Sequence, residues 1–339
     1  MGFTKRSIGK TGLRVPTLGF GGAPLGGLFN AVDDTEALAT LNTALDQGMT
    51  YVDTAPFYGF GLSERRVGDA LHDRSHVLST KVGRLLKPGR MDNPGALGWP
   101  AALPFEPVFD YSYDGIMRSY EDSLQRLGLD RIDILYVHDI GEMTHGADNQ
   151  THFKALIDGG YRALDDLRRS GRIAAIGLGV NETEICKQAL EHGDWDVFLL
   201  AGRYTLLEQN ALNDLMPLCA ARDVSLVIGG PFNSGILAGG TTWNYAAAPD
   251  HVMQKVKSLS ETCARFGVPL PAAALQFPLA HPTVASVIPG LRNRTELTDA
   301  LNWAAHAIPG DFWAALKAQN LLHPEAPTPT SSPYSEHSP

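Results

Sequence analysis

Short, near-continuous apolar runs punctuate this chain, and amphipathic stretches separate them. Ile134-Leu135-Tyr136-Val137, Ile173-Ala174-Ala175-Ile176 and Leu226-Val227-Ile228 are too short for helices and lack polar alternation. Runs of this kind mark parallel strands covered on both faces. Between them, Ile116, Tyr120, Leu124 and Leu127 recur at helical spacing and give 114–127 one apolar face. The alternation predicts strands at 18–22, 51–53, 77–81, 132–138, 173–179, 196–200, 224–229 and 284–288. Helices are predicted at 33–48, 63–71, 114–127, 155–170, 183–192, 208–222, 250–266, 271–280 and 294–305.

Eight strand–helix units predict an α/β fold, a (β/α)8 barrel over 1–323, with a doubly wound sheet as the alternative. A small hairpin over 3–18 precedes the repeat. Two stretches stand outside it. Residues 87–112, rich in Pro and Gly with Trp99, Phe105, Phe109 and Tyr111, read as a long loop without structure of its own. The Pro/Ser/Thr segment 324–339 reads as a disordered tail.

Composition narrows the function. A formal charge of −9 and no dense Lys/Arg run argue against nucleic acid or an anionic membrane surface as partner. Cys186, Cys219 and Cys263 are far apart and odd in number, so neither a metal-ligand spacing nor a disulfide framework is expected. With no apolar signal-like start and no 18-residue apolar stretch, the expected address is cytoplasmic. The glycines of Gly19-Phe20-Gly21-Gly22-Ala23-Pro24 invite a dinucleotide fingerprint. Proline stands where the third glycine belongs, and no acid ends a following strand at the right distance.

The suspicious polar residues fall at strand C-termini, where barrel sites are built. Asp53 ends one predicted strand, Lys81 the next and His138 the one after, with Tyr58 a turn beyond Asp53. Singly, each has a structural alternative: a helix cap, a half-buried ring, a solvated cation, a satisfied His138–Asp139 pair. Together they compose a proton-transfer device. Tyr58 is the candidate acid or base, yet a free phenol titrates near pKa ~10. An ammonium about 4 Å away contributes roughly 4 kcal/mol at an effective dielectric near 20, so Lys81 is expected to pull the phenol down. Asp53 would hold Lys81 charged, and His138 would fix the substrate oxygen. No metal is needed. No side chain carries a hydride, so a nicotinamide cofactor is implied.

These segments resemble the aldo-keto reductases over about residues 4–322. The matching stretches are Tyr51-Val52-Asp53-Thr54-Ala55-Pro56-Phe57-Tyr58-Gly59, Ser79-Thr80-Lys81-Val82-Gly83, Asp133-Ile134-Leu135-Tyr136-Val137-His138 and Ile176-Gly177-Leu178-Gly179-Val180-Asn181. The resemblance implies a (β/α)8 barrel binding NAD(P)(H) across its mouth, with Asp53, Tyr58, Lys81 and His138 as catalytic tetrad. It implies cofactor contacts from Asn181, Arg203, Tyr204, Gly230, Pro231, Phe232, Ser234, Gly290, Arg292 and Glu296. Within the family the resemblance is to bacterial D-threo-aldose 1-dehydrogenases and L-fucose dehydrogenases, with pyridoxal 4-dehydrogenase as a relative. Oxidation of a cyclic aldose at C1 is therefore expected. The alternatives are a pyridoxal dehydrogenase or general carbonyl reductase, and a nucleotide-sensing regulatory barrel.

The family's nicotinamide-stacking tyrosine is replaced here by Gly229, which leaves Phe232 as a candidate for stacking or for plain core packing. Gly290 and Glu296 stand where NADP-binding members carry Lys and Arg, which favours NAD over NADP. Arg292 and Arg294 argue the other way. Trp99, on the long loop beside Lys81, is the candidate for substrate contact, along with Tyr58 and His138. Oligomeric state is not legible.

Overall fold

The computed structural model describes residues 2–334. Eight parallel strands form one sheet: β1 (Phe20–Gly21), β2 (Tyr51–Asp53), β3 (Val77–Val82), β4 (Ile134–His138), β5 (Ala175–Val180), β6 (Val197–Ala201), β7 (Ser225–Gly229) and β8 (Val284–Ile288). Neighbours in space are neighbours in sequence from β1 to β8. Parallel bridges Leu18–Val287 and Gly21–Gly290 then join the last strand to the first. The result is a closed barrel rather than an open doubly wound sheet.

The apolar runs have two faces to satisfy, which explains why they do not alternate. Tyr51, Ile134, Tyr136, Ala175, Val197, Leu199, Val227 and Ile288 point into the lumen and form one buried cluster. Val52, Leu78, Leu135, Ile176, Phe198, Leu226 and Val287 point outward against the helices and belong to a second, larger one. Truncating a fully buried leucine such as Leu135 to alanine would cost about 2–5 kcal/mol. The N-terminal hairpin, Lys5–Ser7 paired with Arg14–Pro16, contributes Ile8 and Val15 to the lumen cluster and so plugs the barrel.

Helix limits follow local chemistry. Helix α1 (Asp34–Asp46) starts at Asp33, whose carboxylate accepts from the Thr35 and Glu36 amides. Helix α2 (Leu62–Leu71) follows β2, and α3 (Tyr113–Leu127) ends at Gly128 in the left-handed conformation. A C-terminal helix, Gly310–Ala318, was not predicted. No helix among the described residues is long and apolar enough to cross a membrane.

Two expectations change. Residues 87–112 are not structureless: Arg84–Pro88 pairs antiparallel with Phe105–Phe109, and a 3-10 turn at Pro94–Leu97 caps the excursion. Pro94 and Gly95 sit in the turn, whereas Pro88 ends the first strand and Pro107 lies within the second. In the 324–339 segment, the part up to Tyr334 lies against the barrel. Ala326 and Tyr334 are buried, and the Tyr334 hydroxyl donates to Leu275 O at 2.6 Å. Two apolar anchors in a polar segment are enough to seat it, while 335–339 lie outside the described residues.

Candidate active site

The C-terminal ends of β2, β3 and β4 bring Asp53, Lys81 and His138 together, and the turn after β2 adds Tyr58. Lys81 Nζ donates to Asp53 Oδ2 at 2.6 Å and to Thr54 O at 2.8 Å. The second Asp53 oxygen accepts from Ser79 Oγ at 2.7 Å. Side chains of both ion-pair partners are almost wholly buried. Burial pushes the Asp53 carboxyl up, and the Lys81 ammonium and these hydrogen bonds pull it back. Ser79 Oγ also lies 3.2 Å from Tyr51 Oη, which pairs with Tyr136 Oη at 3.0 Å. A chain of polar groups therefore runs from Lys81 down into the lumen.

Lys81 Nζ stands 4.7 Å from the Tyr58 ring centroid, a cation–π contact. The His138 ring meets Tyr58 edge-on, with centroids 5.8 Å apart. The expected downward pull on the Tyr58 phenol is not what the surroundings produce. Burial first, then the Asp53 carboxylate, push it well above its ordinary value, and Arg84 opposes them. Lys81 faces the ring and spends its hydrogen bonds on Asp53 and Thr54. Burial, helped by Arg84 and Lys81, pushes the His138 imidazole well below its ordinary value, so it is neutral.

A cavity of about 380 Å³ opens over these residues. Tyr58, Lys81, His138, Trp99 and Asn181 all line it. Trp99 is buried and lies 5.5 Å from Tyr58, centroid to centroid, so the hairpin after β3 does form a wall of the cavity. Among the described residues no His, Cys, Asp and Glu groups cluster as a metal site.

The residues expected at the cofactor divide. Asn181 Nδ2, at the cavity edge after β5, donates to Ala201 O at 3.3 Å and to Tyr245 Oη at 3.4 Å. Arg203 holds Asn181 O at 2.7 Å, Glu208 Oε2 at 2.9 Å and Asn244 Oδ1 at 2.9 Å. Ser234 Oγ accepts from the Tyr245 amide. Tyr204 is not at the mouth: it is fully buried, with its ring 5.3 Å from Phe277. Phe232 packs edge-on against Trp303 at 5.6 Å, away from the cavity wall, so it offers core packing and no stacking surface there. Pro231 is buried beside it.

Gly229 and Gly230 end β7 without side chains, and Gly230 has φ +55°, a conformation that favours glycine. A Cβ on Gly290 would come within 2.9 Å of Pro24, so the residue lost as a lysine is also one that the β1–β8 junction keeps small. Arg292 donates to Glu296 through its amide and guanidinium at 2.8 Å, and Arg294 donates to Glu36 in the same two ways.

Three polar residues of the cavity lining were missed: Arg84, Asp139 and Tyr245. Arg84 lies just past β3 and Asp139 directly after His138, so their positions beside strand ends were the available signal. Tyr245 had none. It sits in a two-residue turn, with Asn244 and Tyr245 both at positive φ, between Thr242–Trp243 and Ala246–Ala247.

Comparison with known proteins agrees with this geometry. The model of the aldo/keto reductase family matches residues 17–320. The chain is 46% identical over 334 residues to pyridoxal 4-dehydrogenase of Microbacterium luteolum, covering 94% of this chain and 98% of that one. It is 38% identical to D-threo-aldose 1-dehydrogenase of a Pseudomonas species, covering 97% and 100%. The holo form of an aldo-keto reductase from Bacillus halodurans superposes with a TM-score of 0.74 at 27% identity, covering 95% and 97%. A closed eight-stranded barrel, a buried Asp–Lys pair under a tyrosine and a histidine, and a match spanning nearly the whole chain lead to one assignment: this is an oxidoreductase of the aldo/keto reductase family, which works with a nicotinamide cofactor.

Proposed function

We propose that the protein oxidises a cyclic hemiacetal to its lactone, with Tyr58 as the proton-transferring group and NAD as the preferred cofactor. An aldose is the expected substrate, in its ring form. Pyridoxal, whose aldehyde neighbours a hydroxymethyl group, closes to a ring of the same kind, so both relatives' named substrates offer one reacting group. The observation that carries the proposal is the cavity itself: Tyr58, Lys81 and His138 share its floor beneath the aromatic wall of Trp99.

In this scheme a bound nicotinamide supplies the hydride acceptor. The neutral His138 orients the hemiacetal oxygen by a hydrogen bond. Tyr58, as phenolate, takes the proton from that oxygen while hydride leaves the same carbon, which becomes the lactone carbonyl. In the reverse direction the phenol donates. Asp53 and Thr54 hold Lys81 against the Tyr58 ring, where its charge favours the phenolate as it forms. Asn181 would hold the cofactor's carboxamide, and the Gly229–Gly230 ledge would leave room for the dinucleotide.

The NAD preference rests on the rim. A 2′-phosphate would have to take Arg292 from Glu296 and Arg294 from Glu36, and it would face both carboxylates. A 2′-hydroxyl can donate to a carboxylate instead. Steady-state assay with L-fucose, D-arabinose, L-galactose and pyridoxal, each with NAD and NADP, tests the whole reading. No turnover of any of them would remove the substrate class, and a higher kcat/KM with NADP would remove the cofactor choice.

A further inference from the structure

Beside the catalytic floor lies a second polar pair that proton transfer does not use. Arg84 Nη2 meets Asp139 Oδ2 at 3.0 Å, and that same carboxylate oxygen is 3.6 Å from His138 Nε2. The Arg84 guanidinium carbon lies over the Phe57 ring, 4.2 Å from its centroid, and over Phe109 at 5.2 Å. Arg84 is only 6% exposed, yet its Nε–H, buried at the cavity, has no hydrogen-bond partner. The indole N–H of Trp99, 2% exposed and on the same cavity, is also unpartnered. Leaving a buried donor unpaired is costly, so two of them on one cavity point to an acceptor that arrives with a ligand.

We infer that Arg84 and Asp139 form a recognition pair for a hydroxyl group on the substrate ring next to the carbon being oxidised. This deepens, and rests on, the hemiacetal oxidation proposed above. The carboxylate accepts from the hydroxyl and the guanidinium donates to it, with the indole N–H available to a further oxygen. The placement follows from His138. If that ring holds the reacting oxygen, a carboxylate 3.6 Å from its Nε2 reaches a neighbouring substituent rather than a distant one. Contacts with two aromatic rings and the ion pair with Asp139 fix the guanidinium as a donor, which is what discrimination requires. An aldose carries such a hydroxyl at C2; the C3 hydroxyl of pyridoxal lies one carbon further from the carbon being oxidised and matches the pair less directly.

The test compares each substrate with the analogue lacking that one hydroxyl: L-galactose with 2-deoxy-L-galactose, and pyridoxal with 3-deoxypyridoxal, using NAD. Wild-type protein should lose at least tenfold in kcat/KM on the deoxy member of whichever pair it turns over. Asp139→Asn and Arg84→Lys, both close in volume, should shrink that ratio toward one, with the loss falling mainly on the hydroxylated substrate. Calorimetric titration of the Tyr58→Phe holoprotein, without and with Asp139→Asn, should give the same pattern in Kd without turnover. A variant that is merely damaged would lose both substrates equally and keep the ratio, which overturns the assignment, as does a wild-type ratio near one. Turnover of neither pair fails the hemiacetal reading itself, a separate and visible outcome that removes this inference with it.

Discussion

Asp53 and Lys81 meet at 2.6 Å with 3% and 2% of their side chains exposed, whereas Arg292 and Glu296 meet at 2.6 Å with 48% and 29% exposed. Distance does not distinguish the floor pair from the rim pair; solvent does. On the floor, water cannot replace a lost partner, so removing one leaves the other charge buried. At the rim, water and salt stand in at little cost, and an exposed pair contributes about 0–1 kcal/mol. The floor is therefore a rigid unit that must be complete. The rim is a set of exchangeable contacts whose identity can tune cofactor choice without endangering the fold.

Tyr58→Phe should strike the floor hardest. It removes the proton carrier and leaves the ring packing, so turnover should fall about 10²–10⁴-fold while NAD binding, followed by protein fluorescence, stays near wild type. Near-normal turnover would sink the assignment. Lys81→Met should destabilise the protein by about 3–5 kcal/mol, because Asp53 then lies buried and uncompensated, and a denaturant titration reads this directly. Any equally large loss from Arg292→Met would erase the distinction between floor and rim.

The floor also sets a pH dependence. Burial and Asp53 push the Tyr58 phenol up, so the protonated form persists through neutral pH. Carbonyl reduction, which needs the phenol, should stay level from about pH 6 to 8, while oxidation, which needs the phenolate, should quicken as pH rises. His138, pushed down, should leave both limbs unmarked near pH 6.5. An oxidation rate that falls with rising pH over this range would contradict the assignment.

At the rim the expected effects are smaller and concern selectivity. Glu296→Gln, and separately Glu36→Gln, should each improve kcat/KM with NADP, by up to about tenfold for a charge-assisted contact set free. Both should leave the denaturation midpoint nearly unchanged. Smallest of all, Tyr245→Phe loses only the 3.4 Å contact from Asn181, and NAD affinity should shift by less than about threefold by fluorescence titration. A tenfold change there would make Tyr245 part of the machinery rather than its cover.

The residues legible in advance share a location. Asp53, Lys81 and His138 each close an apolar run that could only be a strand, and a strand's end in a parallel barrel points to the mouth. What could not be read lies in connections. Tyr204 stands close in sequence to the cavity residue Ala201, and Phe232 to the end of β7, yet the chain turns after both strands, burying the Tyr204 ring and packing the half-buried Phe232 ring against Trp303. Tyr245 enters from a hairpin 16 residues beyond Gly229, with nothing local to announce it. Trp99 lines the cavity beside Tyr58, although its hairpin was read as a structureless loop.

The order of strands, the double-faced burial of each and the converging polar ends were determined by local pattern, because periodicity and strand-end chemistry depend only on near neighbours. Tertiary structure alone decided which arginines are already neutralised, which donors are left without partners and where the Tyr58 phenol titrates. Arg294 finds Glu36 across 258 residues of chain, and Arg84 finds Asp139 across two strands. Such pairings, and the burial that shifts Tyr58, depend on how much water folding removes from a given point. No stretch of sequence carries that quantity by itself.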